Sequence, residues 1–142
     1  MGVYTIESVP AVDTAVVRDL LELAVGIDDP GRLIAAVASY SADNASLIGA
    51  YDSDCLLGVL GIAAEGSRIV LKHIATQASL RHRNIGRALV EWVASRRPGL
   101  AMVAETVTDS VGFYRRLGFT VTTLGEKYPG VERFAVRRGS TG

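Results

Sequence analysis

A chain of 142 residues is long enough to bury a core of its own and fits one domain spanning residues 1–142. At 49% hydrophobic and 21% charged it has a globular composition, and no apolar run reaches the roughly 18 residues of a membrane helix. Zero net charge and 6% aromatic residues argue against a nucleic-acid footprint, and a lone cysteine, Cys55, excludes an internal disulfide and fits a reducing compartment. Met1 to Glu7 lack a basic patch followed by an apolar core, so a cytoplasmic location is expected.

Val3 to Val9 alternates as a first strand, ended by Pro10. Asp13 or Thr14 can cap the helix that follows, whose apolar face is read as Val16, Leu20, Leu23 and Ala24. Asp28-Asp29-Pro30-Gly31 is a turn, and a shorter helix with Leu33, Ile34 and Val37 runs to about Tyr40. Ala45 to Tyr51 and Cys55 to Ala64 form a hairpin through Asp52-Ser53-Asp54, with Cys55 expected as a buried strand thiol beside Leu56 and Leu57. After Glu65-Gly66-Ser67, Ile69 to Ala75 reads as the next strand. Ile85, Leu89, Trp92 and Val93 then recur at helical spacing from Asn84 until Pro98-Gly99 stops the helix.

Leu100 to Ala104 is a short, wholly apolar strand suited to a sheet interior. Asp109 or Ser110 caps a last helix that Gly118 ends. Phe119 to Leu124 and Val131 to Val136 close the fold as a strand pair, and Ser140 to Gly142 are expected to fray. The order β-α-α-β-β-β-α-β-α-β-β predicts an α/β fold, a mixed sheet of about seven strands flanked by four helices.

Charge is unevenly distributed along the chain. Residues 1–65 hold ten acids against Arg18 and Arg32, whereas residues 66–142 hold thirteen bases against five acids. Between Ser67 and Val90 there is no Asp or Glu, yet Arg68, Lys72, Arg81, Arg83 and Arg87 fall there. A strand, a basic turn and a helix start together form an anion site, because unpaired backbone N–H groups and the positive end of the helix dipole converge on the turn. The basic half favours an anionic ligand, and the acidic half mildly favours a cationic one.

Within that stretch, Arg81-x-x-Asn84-x-Gly86 resembles the Arg/Gln-x-x-Gly-x-Gly/Ala acetyl-coenzyme A signature of the GCN5-related N-acetyltransferases, the GNAT family. Ser110-Val111-Gly112-Phe113-Tyr114-Arg115-Arg116-Leu117-Gly118-Phe119 is similar to that family's second signature, and the element order matches over nearly the whole chain. Asn84 replaces the first glycine, and Asn is the non-glycine residue best able to take a left-handed backbone. A shifted register, Arg83-x-x-Gly86-x-Ala88, also fits the pattern, but the first leaves Ile85 and Leu89 to pack inward. Where the family often has Asn, seven residues before the motif tyrosine, this chain has Val107, so that contact is lost or passes to Thr108 or Asp109.

The resemblance implies an acetyl-coenzyme A-dependent N-acetyltransferase acting on a primary amine of a small molecule or peptide, by direct attack in a ternary complex. By position, Ile74, Ala75 and Thr76 offer backbone to the pantetheine arm. The pyrophosphate falls against the N–H groups of Arg83, Asn84, Ile85, Gly86, Arg87 and Ala88, with charge from Arg81 and Arg87 and the backbone of His82.

Tyr114 is the implied acid for the leaving thiolate, a phenol of pKa about 10 facing a thiol near 8.5. For the base, Glu105, at the end of an apolar strand in a partly dry slot, stands beside His73 and a water chain as alternatives. Cys55 offers no motif for a covalent intermediate, and no metal is implied. Acceptor specificity is expected from Leu33 to Tyr40 and from Lys127-Tyr128-Pro129, and sheet-edge pairing makes a homodimer the assembly the resemblance allows. The competing class is a non-catalytic acyl-coenzyme A sensor of the same fold.

Overall fold

In a computed structural model of the protein, residues 5–10, 14–25, 30–40, 45–77 and 84–139 are described. The elements are β1 (Thr5–Ser8), α1 (Ala15–Val25), α2 (Pro30–Ser39), β2 (Ala45–Asp52), β3 (Cys55–Glu65), β4 (Arg68–Thr76), α3 (Ile85–Arg96), β5 (Ala101–Val107), α4 (Thr108–Arg116), β6 (Thr120–Tyr128) and β7 (Val131–Arg138). They occur in the order the sequence predicts. Among the described residues the strands form one seven-stranded sheet, β1-β2-β3-β4-β5-β7-β6, in which only β4 and β5 pair in parallel. Val3, Asp13, Asp28, Asp29, Arg81, His82, Arg83 and Ser140 to Gly142 lie outside the described residues, as do the side chains of Lys127 and Tyr128.

Strand alternation divides the apolar residues between two cores. Ile48, Leu60, Ile69, Met102 and Val136 face Ile85, Leu89, Val90 and Val93 of α3 together with Tyr114 of α4. On the other face Leu47, Val59, Ala63 and Ala75 meet Val17, Leu20 and Leu21 of α1 and Leu33 of α2. A helix and a two-sided sheet each bury one stripe this way, and the apolar contact supplies most of the stability.

Three packing expectations need correction. The buried stripe of α1 is Val17, Leu20 and Leu21, while Val16 and Leu23 are 49% and 42% exposed. The sequence offers two overlapping i, i+3, i+4 stripes there, and contact with the sheet selects the later one. In α2, Leu33 and Ala36 are buried but Ile34 is 64% exposed. Cys55 is exposed, because it opens β3 directly after the hairpin turn and alternation sends Leu56 inward instead. Thr14 does cap α1, its hydroxyl accepting the Val17 N–H at 3.4 Å and its carbonyl the Arg18 N–H at 2.9 Å. No helix among the described residues is long and apolar enough to cross a membrane.

Candidate active site

The site begins where two neighbouring strands part. β4 and β5 pair over Arg68–Ala101, Ile69–Met102 and Val70–Val103 and then separate. Across β3, Ile62 faces Leu71 and Gly61 faces His73, which leaves Lys72 as the extra residue of a bulge in β4. A bulge bends its strand and reverses which side chains face which layer. Gln77 then ties the end of β4 to β3, its N–H donating to the Leu57 carbonyl at 3.0 Å and its amide to the Leu56 carbonyl at 2.6 Å. β5 instead follows β7 from Met102 to Val107. From Leu71 to Thr76, β4 therefore has no strand partner on its β5 side among the described residues. Such an edge can hydrogen-bond an extended ligand as a further strand would.

The N-terminus of α3 stands at the mouth of this gap. Asn84 caps it with φ 61° and ψ 22°, the left-handed conformation that the sequence allowed for it. The carbonyl of Asn84 accepts the Ala88 N–H at 2.9 Å, which leaves the N–H groups of Ile85, Gly86 and Arg87 without an intrahelical acceptor. Ala88 is accordingly corrected as an anion-binding donor, since its N–H is already used inside the helix. Ile85 and Leu89 are buried, as the first motif register requires. Two glycines let the parts close up. A Cβ on Gly58 would meet the Ala75 carbonyl at 3.0 Å and Ile85 at 3.1 Å, and a Cβ on Gly86 would meet the Phe113 ring at 3.2 Å.

A cleft of about 700 Å³ runs between these elements. Its walls include Ile74, Ala75 and Thr76 of β4 and Asn84, Ile85, Gly86 and Arg87 at the start of α3. Seven of the predicted site residues thus share one cavity with Tyr114. Leu23 of α1, Ser110, Phe113 and Arg116 of α4 and Leu117 just after it also line it, and the sequence did not single them out for this purpose. Leu23 is read on the apolar face of α1, and it lines the cleft rather than packing in the core. Tyr114 is 5% exposed, with its ring edge-on to Phe113 and Phe119 at 5.2 Å each, and burial raises its phenol above the usual range. Among the described residues no group hydrogen-bonds its hydroxyl.

α4 starts at Thr108 with Val107 as its cap and no side-chain capping bond, so neither Asp109 nor Ser110 caps it. β5 correspondingly runs past Ala104 to Val107. Glu105 therefore lies within the strand, opposite Ala135, with its side chain 50% exposed and 3.7 Å from the Arg133 guanidinium. The dry strand-end slot expected for this carboxylate is not what surrounds it. Alternation places Glu105 on the sheet face opposite the one where Met102 and Ala104 pack against α3. His73 is hydrogen-bonded through Nδ1 to the hydroxyl of Tyr40 at 2.5 Å, a contact between β4 and the residue that follows α2 that the sequence did not reveal. Among the described residues no group of three or more His, Cys, Asp or Glu is placed to hold a metal ion.

This arrangement coincides with a known domain. The family model for the acetyltransferase (GNAT) domain matches residues 43–121, more than half of the chain. A peptidyl-lysine N-acetyltransferase of Salmonella typhimurium, YjaB, is 42% identical over 57 residues, which is 35% of this chain and only 39% of the relative's length. The ribosomal-protein-S18-alanine N-acetyltransferase of Escherichia coli superposes with a TM-score of 0.81 at 16% identity, covering 99% of this chain and 96% of its own. A GNAT family acetyltransferase from Elizabethkingia anophelis, solved with acetyl-coenzyme A bound, superposes with a TM-score of 0.71 at 21% identity, covering 96% of this chain and 97% of its own. On its sequence match, and with a fold and a cleft that agree with it, the chain belongs to the GNAT acetyltransferase family.

Proposed function

We propose that the protein moves an acetyl group from acetyl-coenzyme A to a primary amine of a small molecule or peptide, by direct attack within a ternary complex. The observation that carries this reading is the parting of β4 from β5 beside the α3 N-terminus, with Tyr114 on the wall of the same cleft. The open edge at Ile74, Ala75 and Thr76 suits the amide-bearing pantetheine arm, and the N–H groups of Ile85, Gly86 and Arg87 suit a diphosphate. The Arg87 side chain adds positive charge at that end. The relative from Elizabethkingia anophelis supports the choice of donor, and the peptidyl-lysine acetyltransferase of Salmonella typhimurium supports an amine as acceptor.

A backbone N–H on the open edge of β4 polarises the thioester carbonyl and steadies the oxyanion as the amine adds. Collapse of the tetrahedral adduct breaks the C–S bond; Tyr114 gives its proton to the departing sulfur, and the phenolate is restored by the proton that the new amide nitrogen sheds through water. Burial keeps this phenol protonated across the neutral range.

The acceptor approaches from the opposite sheet face, where Glu105 stands beside Arg133. An ammonium with a pKa of about 10.4 must lose a proton before attack. Glu105, working with solvent that reaches it, is the group proposed to take that proton. A purified sample given acetyl-coenzyme A and a panel of amines should release free thiol with at least one amine and not without it. Binding of acetyl-coenzyme A with no thiol release across lysine peptides, N-terminal peptides and small amines would instead identify a sensor of the same fold.

A further inference from the structure

The bulge at Lys72 turns His73 onto the sheet face covered by α1 and α2, within the part of β4 that has left β5. That is the face from which an acceptor would come. Tyr40 follows α2 and lies over Gly61, the residue directly across the ladder from His73. A Cβ on Gly61 would fall 1.6 Å from the Tyr40 hydroxyl oxygen, so only glycine leaves room for the phenol there. The phenol reaches His73 Nδ1 at 2.5 Å, with the rings nearly perpendicular at 68° and Lys72 Nζ 5.5 Å from the Tyr40 ring centre. Three elements and a missing side chain thus converge on one hydrogen bond, and it meets only Nδ1. For Nε2 no partner stands among the described residues.

We propose that Tyr40 donates to Nδ1 and so fixes His73 as the Nε2–H tautomer, which makes His73 a hydrogen-bond donor toward the acceptor and Tyr40 its positioning residue. A neutral imidazole carries one N–H and one lone pair, and the bond made at one nitrogen decides what the other offers. The phenolic O–H is the stronger acid of the two groups and the imidazole nitrogen the better base, so the phenol donates. Burial holds both groups neutral, raising Tyr40 and lowering His73. His73 then cannot take the acceptor's proton, because the only lone pair of the ring is already bonded. An acceptor read by such a donor carries an oxygen close to its amine, as a peptide or a hydroxylated amine does and a plain alkylamine does not.

This inference rests on the acetyltransferase reading for its consequence but not for its first test. Long-range nitrogen–proton correlation spectra on protein labelled at its two histidines, with His73→Gln used for assignment, report the tautomer directly. The Nε2–H form should dominate for His73, and Tyr40→Phe should release a mixture of the two forms. Dominance of the Nδ1–H form in the parent protein overturns the proposal whether or not any amine is acetylated.

The second test separates donor from base. His73→Gln keeps an N–H donor but has no basic nitrogen, so it should recover most of the acceptor KM that His73→Leu loses. His73→Leu and Tyr40→Phe should raise the acceptor KM about tenfold, the worth of one hydrogen bond, with the acetyl-coenzyme A KM unchanged. A loss of kcat of about 100-fold or more in His73→Gln would make His73 the base and contradict the assignment.

Discussion

Phe113 and Gly86 bring the two sequence signatures into direct contact. The glycine in the first turn of α3 leaves its missing side chain's space to the ring on α4, which a Cβ would approach to 3.2 Å, with Ile74 of β4 at 3.4 Å. The cleft exists because three elements can close on a backbone with no side chain. Gly86→Val should push Phe113 and with it Tyr114 outward, lowering stability by about 1–3 kcal/mol and weakening coenzyme A binding at least tenfold. Thermal melts and a titration with coenzyme A check both effects. An unchanged affinity would mean that the helix start does not form the diphosphate site.

Tyr114→Phe removes one oxygen and leaves the edge-on packing against Phe113 and Phe119 in place. Turnover should fall by about 10²-fold, the usual worth of a general acid, while coenzyme A affinity and melting temperature stay near those of the parent. Steady-state kinetics beside a binding titration distinguish this from a purely structural tyrosine, whose loss would move stability and leave kcat nearly intact.

Gly61→Ala places a methyl where the Tyr40 phenol lies. The ring is held by His73 on one side and the α1–α2 core on the other, so it cannot swing aside without breaking a contact. The expected cost is about 1–3 kcal/mol. In the double variant Gly61→Ala/Tyr40→Ala the two effects should be clearly less than additive, because the second change removes what the first collides with. Additive losses in denaturant unfolding would show that the two positions do not touch.

His73 carries a pH signature. Burial, with the charge of Lys72 beside it, pushes the imidazole down from 6.5 to about 4. As pH falls below the ordinary value, the unfolded chain takes up a proton that the folded chain refuses until about pH 4. Stability present above pH 6.5 is therefore lost progressively between those limits. The fall in melting temperature from pH 7 to pH 4.5 should be shallower in His73→Gln than in the parent, and equal slopes would refute a buried neutral histidine.

The order of elements was legible because each strand and helix carries its own periodicity, from the run Ala45–Asp52 to the spacing of Ile85, Leu89 and Val93. The left-handed Asn84 was legible for a local reason too, since few other side chains tolerate that backbone. What escaped the sequence was set by distance along the chain. The parting of β4 from β5 depends on a bulge at Lys72 and a clamp by Gln77, which only the strand partners define. Tyr40 and His73 lie 33 positions apart and meet because Gly61 yields its space.

Glu105 was misplaced because the apolar run ends at Ala104 while the ladder with β7 carries on to Val107. Thr106, a polar residue buried within that ladder, marks the continuation but reads in the sequence as the end of a strand. For the α1 face, Val16-Val17 and Leu20-Leu21 present two stripes of equal hydrophobicity, and only the sheet beneath decides between them.

Isothermal titration of the purified protein with acetyl-coenzyme A tests the central claim most directly. If the gap between β4 and β5 holds the donor, one molecule should bind per chain with a dissociation constant of about 1 μM to 1 mM, in the range of working substrate affinities. The affinity should survive Tyr114→Phe and be lost in Gly86→Val. No heat at millimolar ligand, or equal binding in both variants, would contradict the account.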